Sequence, residues 1–193
     1  LILTSFVLGL GVGTFFTGPL SDRFGRKPVI FWGAALYVLA CIAAYFAESL
    51  EMILLSRVVM GIGAAGPRVV ALAIIRDLYQ GREMAKIMSF AMIVFTLVPA
   101  LAPLIGAGII AFTGWRGIFL AFILFVSIAV SWLMLRQPET LPKEMRKNLT
   151  PAHFASAMRD IFGRKNVVLS ILVQSLTYGL LFGHLSTVQP VFE

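Results

Sequence analysis

Two arginines in one long apolar stretch are the residues whose chemistry stands out first in this sequence. Arg57 and Arg68 both lie within residues 52–75, which contain no other charged side chain. A guanidinium group in hydrocarbon is energetically costly, so such a residue indicates a functional position by default. Their separation of 11 residues is three helical turns, about 16 Å along the axis, and places both on one helix face. The structural alternative is that each side chain extends to the nearer membrane interface.

A second group of charges follows the first apolar stretch. Four charged side chains fall within six residues, namely Asp22, Arg23, Arg26 and Lys27. Gly18 and Gly25 would permit a close approach and a positive φ where two helices reverse direction. The three cations alone suit an ordinary cytoplasmic loop, but such a loop explains neither the aspartate nor the glycine spacing.

The other candidate residues carry less information. Gln174, Tyr178 and His184 are the polar candidates in the last apolar stretch, 167–189, and a lone histidine there is more commonly a hydrogen-bonded structural residue. None of the apolar stretches contains an Asp or Glu, although a proton-coupled carrier generally needs a titrating group in the membrane. The two histidines and the single Cys41 form no pattern of metal ligands or disulfides. The sequence therefore predicts no enzyme, no metal site and no cofactor.

The composition is that of a membrane protein. Of the 193 residues, 59% are hydrophobic and 13% are charged, and the mean hydropathy is +0.93. A soluble domain is about a quarter charged, so a soluble globular chain and a disordered chain are both excluded. The net charge of +7 would indicate nucleic-acid binding in a soluble protein, but in a membrane protein the placement of the cations matters more than their number.

Six stretches are long enough, or nearly so, to cross a bilayer as helices, which takes about 20 apolar residues. They are 1–20, 28–47, 52–75, 87–112, 118–135 and 167–189, and only the join 136–166 is long. The fold class is therefore predicted to be all-α, a polytopic helical membrane protein. Because the chain starts inside an apolar run, without a methionine, we expect it to be a fragment that has lost its N-terminus.

The cations predict the orientation. Thirteen of the 16 lysines and arginines fall in alternate joins on one side, Arg116 alone lies on the other, and Arg57 and Arg68 lie within a span. The cation-rich side is expected to be cytoplasmic, which indicates a multi-pass membrane protein rather than a nucleic-acid-binding protein. In the long join, Thr150 and Gly163 suit the two ends of a helix. An amphipathic helix is predicted there on the cytoplasmic surface.

The string around the charge cluster resembles a known signature. Gly18-Pro-Leu-Ser-Asp22-Arg23-Phe-Gly25-Arg26-Lys27 is similar, at every defined position, to the loop between the second and third helices of major facilitator superfamily transporters. Further partial matches follow in family order: Arg57-x-x-x-Gly61-x-Gly63, Ala102-Pro103-Leu-Ile-Gly106, Gly114-Trp115-Arg116 and Pro138-Glu139-Thr140-Leu141. Arg76-Asp77 and the run 98–106 look most like the bicyclomycin-resistance subfamily of drug–proton antiporters.

The resemblance implies an architecture. The visible helices would be the second to seventh of twelve, so the first and the eighth to twelfth would be missing from this chain. Residues 1–141 would then be the N-terminal half without its first helix, 142–166 the central loop, and 167–193 the first helix of the C-terminal half. Such folds are built from repeated halves with the binding site near the membrane midplane.

The resemblance also implies roles for individual residues. The fourth helix lines the central cavity in this family, so Arg57 and Arg68 become candidates for substrate contact, with Gln174, Tyr178 and His184 as weaker ones. The family's charge relay, which latches the cytoplasmic side, would consist of Asp22, Arg26 and Asp77. The alternative is three independently solvated charges. The group that couples transport to protons would lie in the missing first helix or be His184.

Several glycines and prolines belong to these motifs. Pro103 and Gly106 belong to the segment that marks exporters in this family, but Val98, Ala102 and Ala107 replace three of its glycines. That segment is expected to shape and pack a helix. Gly61, Gly63 and Gly66 match the spacing of a dinucleotide-binding loop without the preceding strand that such a loop needs. Close helix packing through small residues, as at Gly9 and Gly13, is the better interpretation.

The sequence thus predicts part of a secondary transporter that exports drug-like or other small organic molecules, in exchange for protons, by alternating access. Its partners would be the substrate, protons, the lipid bilayer and the missing remainder of the chain. An importer of sugars or other metabolites is the first alternative, and a membrane receptor or anchor without transport activity is the second.

Overall fold

The computed structural model describes residues 1–146, 159 and 162–188, with the backbone alone at 178 and 181–188. Throughout these residues the regular structure is helical. The elements are α1 (Ile2–Phe24), α2 (Arg26–Tyr45), α3 (Leu50–Leu78), α4 (Gly81–Thr113), α5 (Gly117–Arg136), a 3₁₀ turn (Lys143–Met145) and α6 (Lys165–Val188). The chain divides into two compact units, 1–147 and 148–193, so α1 to α5 form one unit and α6 belongs to the other.

Five of these helices, α1 to α5, are long and apolar enough to cross a membrane. α3, α4 and α5 contain the third, fourth and fifth predicted spans, and α1 and α2 cover all but residue 1 of the first and residues 46–47 of the second. α6 covers the sixth as far as residue 188, so the all-α prediction is confirmed. The surface helix predicted for 150–163 falls largely outside the described residues.

The helix ends differ from the predicted joins at two places. α1 and α2 are separated by Gly25 alone, which has φ 101°. α3 and α4 are separated by Tyr79 and Gln80, which are extended, so the join predicted over 76–86 was too long. α3 begins with a conventional cap, because the Ser49 hydroxyl accepts a hydrogen bond from the Met52 amide at 3.2 Å.

Small residues let α3 pack closely against α1 and α2. A Cβ at Gly61 would overlap the Phe6 carbonyl oxygen on α1, and one at Gly63 would lie 2.7 Å from the Gly33 oxygen on α2. Gly9 meets the Val58 backbone in the same way. The prediction that these glycines pack helices rather than bind a dinucleotide is therefore confirmed.

Two apolar clusters complete the first unit. Cys41, Met60 and Phe119 join α2, α3 and α5, while Ile30, Val70 and Ile74 form a second cluster. The partly buried residues of α5 that cover the second cluster include Leu133 and Met134. α3 and α2 therefore form the packed centre of this unit.

α4 contrasts with α3, because none of its residues is buried. An added Cβ at Gly106 or Gly108 would meet open space within the described residues. The packing role of the segment with Pro103 and Gly106 therefore stays a prediction. An apolar groove of about 480 Å³ separates α4 from α5.

Candidate functional site

The joins that are rich in lysine and arginine lie at one end of the first unit, which we call the cation-rich end. The ends of three helices meet there. α1 supplies Asp22, α2 begins with Arg26, and α3 supplies Asp77 from its last turn. Arg26 Nη1 lies 2.7 Å from Asp22 Oδ1, and Arg26 Nε lies 3.0 Å from Asp77 Oδ2. Arg26 Nη1 also donates to the Ser21 hydroxyl at 2.7 Å. One guanidinium group therefore joins three helices.

The Arg26 side chain is mostly shielded from solvent. It is 10% exposed, whereas the side chains of Asp22 and Asp77 are 40% and 26% exposed. A guanidinium in such a position needs charged partners, because its desolvation is costly without them. Its hydrogen bonds to the two carboxylates are charge-assisted and among the stronger ones in proteins. The alternative of three independently solvated charges was therefore wrong.

The segment after α5 adds residues to which the sequence assigned no role. Glu139 accepts hydrogen bonds from the backbone amides of Arg26 at 2.9 Å and Lys27 at 3.1 Å. The Thr140 hydroxyl donates to Asp77 Oδ2 at 3.2 Å, the oxygen that also accepts from Arg26. Glu139 belongs to the string 138–141 that matches the family, and it follows a predicted span on the cation-rich side. These two observations could have indicated a role for it.

The two glycines of the loop signature have different environments. Gly25 is buried with φ 101°, which only glycine adopts readily, and an added Cβ would lie 2.8 Å from Glu139 Oε2. Gly18 lies inside α1, and an added Cβ there would meet nothing within 4 Å. The prediction of a positive φ was right for Gly25. The prediction that Gly18 allows a close approach was wrong within the described residues.

Arg57 lies near the opposite end of the first unit and forms no salt bridge with the described residues. Its guanidinium carbon is 5.2 Å from the centroid of the Phe119 ring, a cation–π contact, and its buried Nε atom has no hydrogen-bond partner there. It lines a pocket of about 470 Å³ between helices α1, α2, α3 and α5. The other lining residues are Ile2, Leu3, Phe6, Tyr37 and Phe122.

Arg68 does not line this pocket, and the other predicted cavity residues lie on α6, in the second unit. Arg68 lies on the same helix as Arg57 but is exposed in the first unit, so the two arginines do not share one environment. Gln174 is exposed on α6, in the second unit. Tyr178 and His184 also lie on α6, and their side chains are outside the description. Their cavity roles stay predictions.

Comparison with known proteins adds a family model and several relatives. The model described as Major Facilitator Superfamily matches residues 1–193. The bicyclomycin resistance protein homolog of Haemophilus influenzae is 33% identical over 190 residues, which is 98% of this chain and 48% of that protein.

Two further relatives are named for drug resistance. The chloramphenicol resistance protein of Pseudomonas aeruginosa is 38% identical over 142 residues, 72% of this chain and 34% of that protein. The multidrug resistance protein MdtL of Escherichia coli is 33% identical over 172 residues, 89% of this chain and 44% of that protein. The chain spans about half the length, or less, of the relatives it matches.

Proposed function

Because the chain belongs to the major facilitator superfamily of multi-pass inner-membrane transporters, we propose that it is part of an exporter of drug-like small organic molecules. The observation that carries this proposal is the similarity, over most of the chain, to relatives named for resistance to bicyclomycin, chloramphenicol and multiple drugs. We further propose that export is driven by exchange for protons and proceeds by alternating access.

The ion-pair cluster supports the alternating-access part of this proposal. Arg26 bridges Asp22 and Asp77 across three helix ends, at the end of the unit that we place in the cytoplasm. A cluster of a few charge-assisted bonds has the energy scale that biases a two-state equilibrium by a few kcal/mol. Asp22, Arg26 and Asp77 would thus form a latch that stabilises one of the two access states. A static anchor has no use for such a switch.

The Arg57 pocket supports binding of a small molecule. It is mostly apolar and aromatic, with one charged group whose Nε atom is buried and unpaired among the described residues. Binding sites for small molecules generally combine apolar walls with a few polar groups that set orientation. Arg57 would contact substrate directly, and Arg68, about 16 Å along α3, would take part from the exposed face of that helix.

An importer of metabolites remains the second candidate for one reason. On α4, which corresponds to the fifth helix of the family, the exporter signature has glycines at three positions that hold Val98, Ala102 and Ala107 here. Direction and proton coupling therefore have to be tested together. Inverted membrane vesicles that contain the whole transporter provide this test, because drug uptake into them corresponds to export from the cell.

The probe is radiolabelled chloramphenicol, with a pH gradient, acidic inside, imposed across the vesicle membrane. We expect uptake that needs the gradient, that stops when an ionophore collapses it, and that is absent from vesicles without the protein. Uptake that is unchanged after the gradient is collapsed would contradict proton exchange. Absence of uptake in inverted vesicles, together with uptake into right-side-out vesicles, would favour the importer.

A further inference from the structure

Helix α2 begins without a capping side chain of its own. The first amides of a helix have no intrahelical acceptor, and a Ser, Thr, Asp or Asn at the cap position usually supplies one. α3 follows this rule with Ser49, but the cap position of α2 is Gly25. A larger residue there is disfavoured, because φ is 101° and a Cβ would contact the Glu139 carboxylate.

Glu139 supplies the missing acceptor from 113 positions away in the sequence. Its two carboxylate oxygens accept from the amides of Arg26 and Lys27, the first two residues of α2, at 2.9 and 3.1 Å. A carboxylate at this place also interacts favourably with the positive end of the helix dipole. Glu139 is itself held, because Oε1 accepts from the Leu141 amide at 3.1 Å.

Residues 137–141, called the strap below, also contact the ion-pair cluster through Thr140, and the end of α5 contacts the start of α2. The Thr140 hydroxyl shares Asp77 Oδ2 with Arg26 Nε. Lys27 Nζ donates to the Met134 carbonyl oxygen in the last turn of α5 at 3.0 Å. The strap therefore joins the end of α5 to the start of α2 and the end of α3.

We propose that Glu139 is a positioning residue of the transport cycle, which holds the Arg26 backbone so that its guanidinium spans Asp22 and Asp77. Arg26 is fixed from two sides, at its amide by Glu139 and at its side chain by the two aspartates. Because Thr140 and Arg26 share one oxygen of Asp77, a movement of that carboxylate would break or displace the Thr140 hydrogen bond as well as the ion pair. The strap in turn continues along the chain into residues 142–147, the last of the first unit. This inference rests on the proposed transport function, and it adds a residue outside the Asp22–Arg26–Asp77 cluster.

The first experiment tests the cap itself. Hydrogen exchange is measured on the purified transporter in lipid nanodiscs, for peptides that cover the first turn of α2. Glu139→Gln removes the charge and weakens one acceptor, and we expect exchange there to rise at least fivefold. Glu144→Gln is the matched control, because Glu144 is exposed, lies five residues further along, and loses the same charge. Equal exchange in the two variants would overturn the proposal.

The second experiment tests whether the cap acts through the ion pairs. Initial rates of chloramphenicol transport are measured in vesicles for Glu139→Gln, Asp22→Asn and the double variant. We expect Glu139→Gln to lower kcat three- to tenfold with KM within twofold of its original value. On the Asp22→Asn background we expect less than a twofold further loss. The proposal would be overturned if the fold loss of kcat in the double variant equalled the product of the losses in the two single variants. It would also be overturned if Glu139→Gln left kcat unchanged, even if hydrogen exchange at the cap increased.

The two experiments separate this inference from the proposed function. If the unmodified transporter moves no chloramphenicol, the proposed function fails for that probe, while hydrogen exchange still decides whether Glu139 holds α2. In another outcome, the unmodified transporter is active, Asp22→Asn is impaired, and Glu139→Gln behaves like Glu144→Gln. The proposed function then stands, and the role of Glu139 is refuted.

Discussion

Arg26 and Arg57 are two shielded arginines on neighbouring helices, and their surroundings are opposite. Arg26 has two carboxylates, a hydroxyl and a capped backbone amide around it. Arg57 rests on the Phe119 ring in a pocket with apolar and aromatic walls, and its Nε atom has no hydrogen-bond partner among the described residues. One end of the helix bundle thus satisfies its guanidinium group internally, while the other end does not.

The difference separates two uses of the same side chain. An arginine paired with carboxylates on two other helices holds those helices in one arrangement, and the loss of one partner weakens that arrangement. An incompletely paired one retains hydrogen-bonding capacity for a group that is not among the described residues. The comparison therefore supports the proposal of a switch at the cation-rich end and substrate contact at the opposite end. Three pairs of variants test this division.

The largest effect is expected at the paired arginine. Asp22→Asn removes a charge-assisted bond worth about 1.5–3 kcal/mol, so transport should fall roughly tenfold to a hundredfold. The amount of protein in the membrane should be unchanged, since no apolar surface is altered. Initial rates in vesicles, normalised by immunoblot, measure this. Glu83→Gln in the first turn of α4 is the control, and wild-type rates for Asp22→Asn would refute the switch.

A smaller effect is expected at Gly25, the residue before Arg26, because its φ of 101° would strain any residue that carries a Cβ. Gly25→Ala introduces a Cβ at φ 101° against Glu139, and should lower the free energy of unfolding by about 2 kcal/mol. Gly18→Ala in the open interior of α1 should instead raise it by about 0.5 kcal/mol, because alanine favours a helix. Thermal unfolding of the purified protein compares the two, and a stable Gly25→Ala variant would show that the junction does not need its conformation.

A change in stability smaller than that at Gly25 is expected at Arg57, whose Nε atom has no hydrogen-bond partner among the described residues. Arg57→Met removes a partly desolvated charge and also a cation–π contact. It should raise the free energy of unfolding by about 1 kcal/mol while impairing chloramphenicol transport. Arg26→Met should destabilise the protein, because it leaves two carboxylates without their cation. If both substitutions shift the unfolding temperature in the same direction, the contrast between the two arginines is wrong.

The sequence predicted the helices well because membrane spans follow from length and hydrophobicity alone. It also identified Asp22, Arg26 and Asp77 as one group, since the loop signature and the adjacent joins lie at one membrane face. The family model over residues 1–193 confirms the resemblance on which that grouping drew. Glu139 had no assigned role, because a contact across 113 positions leaves no local pattern.

Helical periodicity was not sufficient to place the two membrane arginines. It correctly puts Arg57 and Arg68 on similar faces of α3, but it does not say which neighbouring helices cover that face at each depth. α5 covers Arg57 through Phe119, whereas Arg68 is exposed. Glycine patterns had the same limit: those of α3 meet neighbouring backbones, while Gly106 and Gly108 of α4 meet open space in the first unit.

The junction at Gly25 has a mechanical consequence. A single residue joins α1 to α2, and its amide already donates to the Ser21 carbonyl at 3.1 Å, so the connection has almost no slack. Because only one residue separates the two helices, a rotation of α1 about its axis would also displace the first turn of α2. The first turn of α2 carries Arg26, so a rotation of α1 would also displace the ion pair between Arg26 and Asp77 at the end of α3.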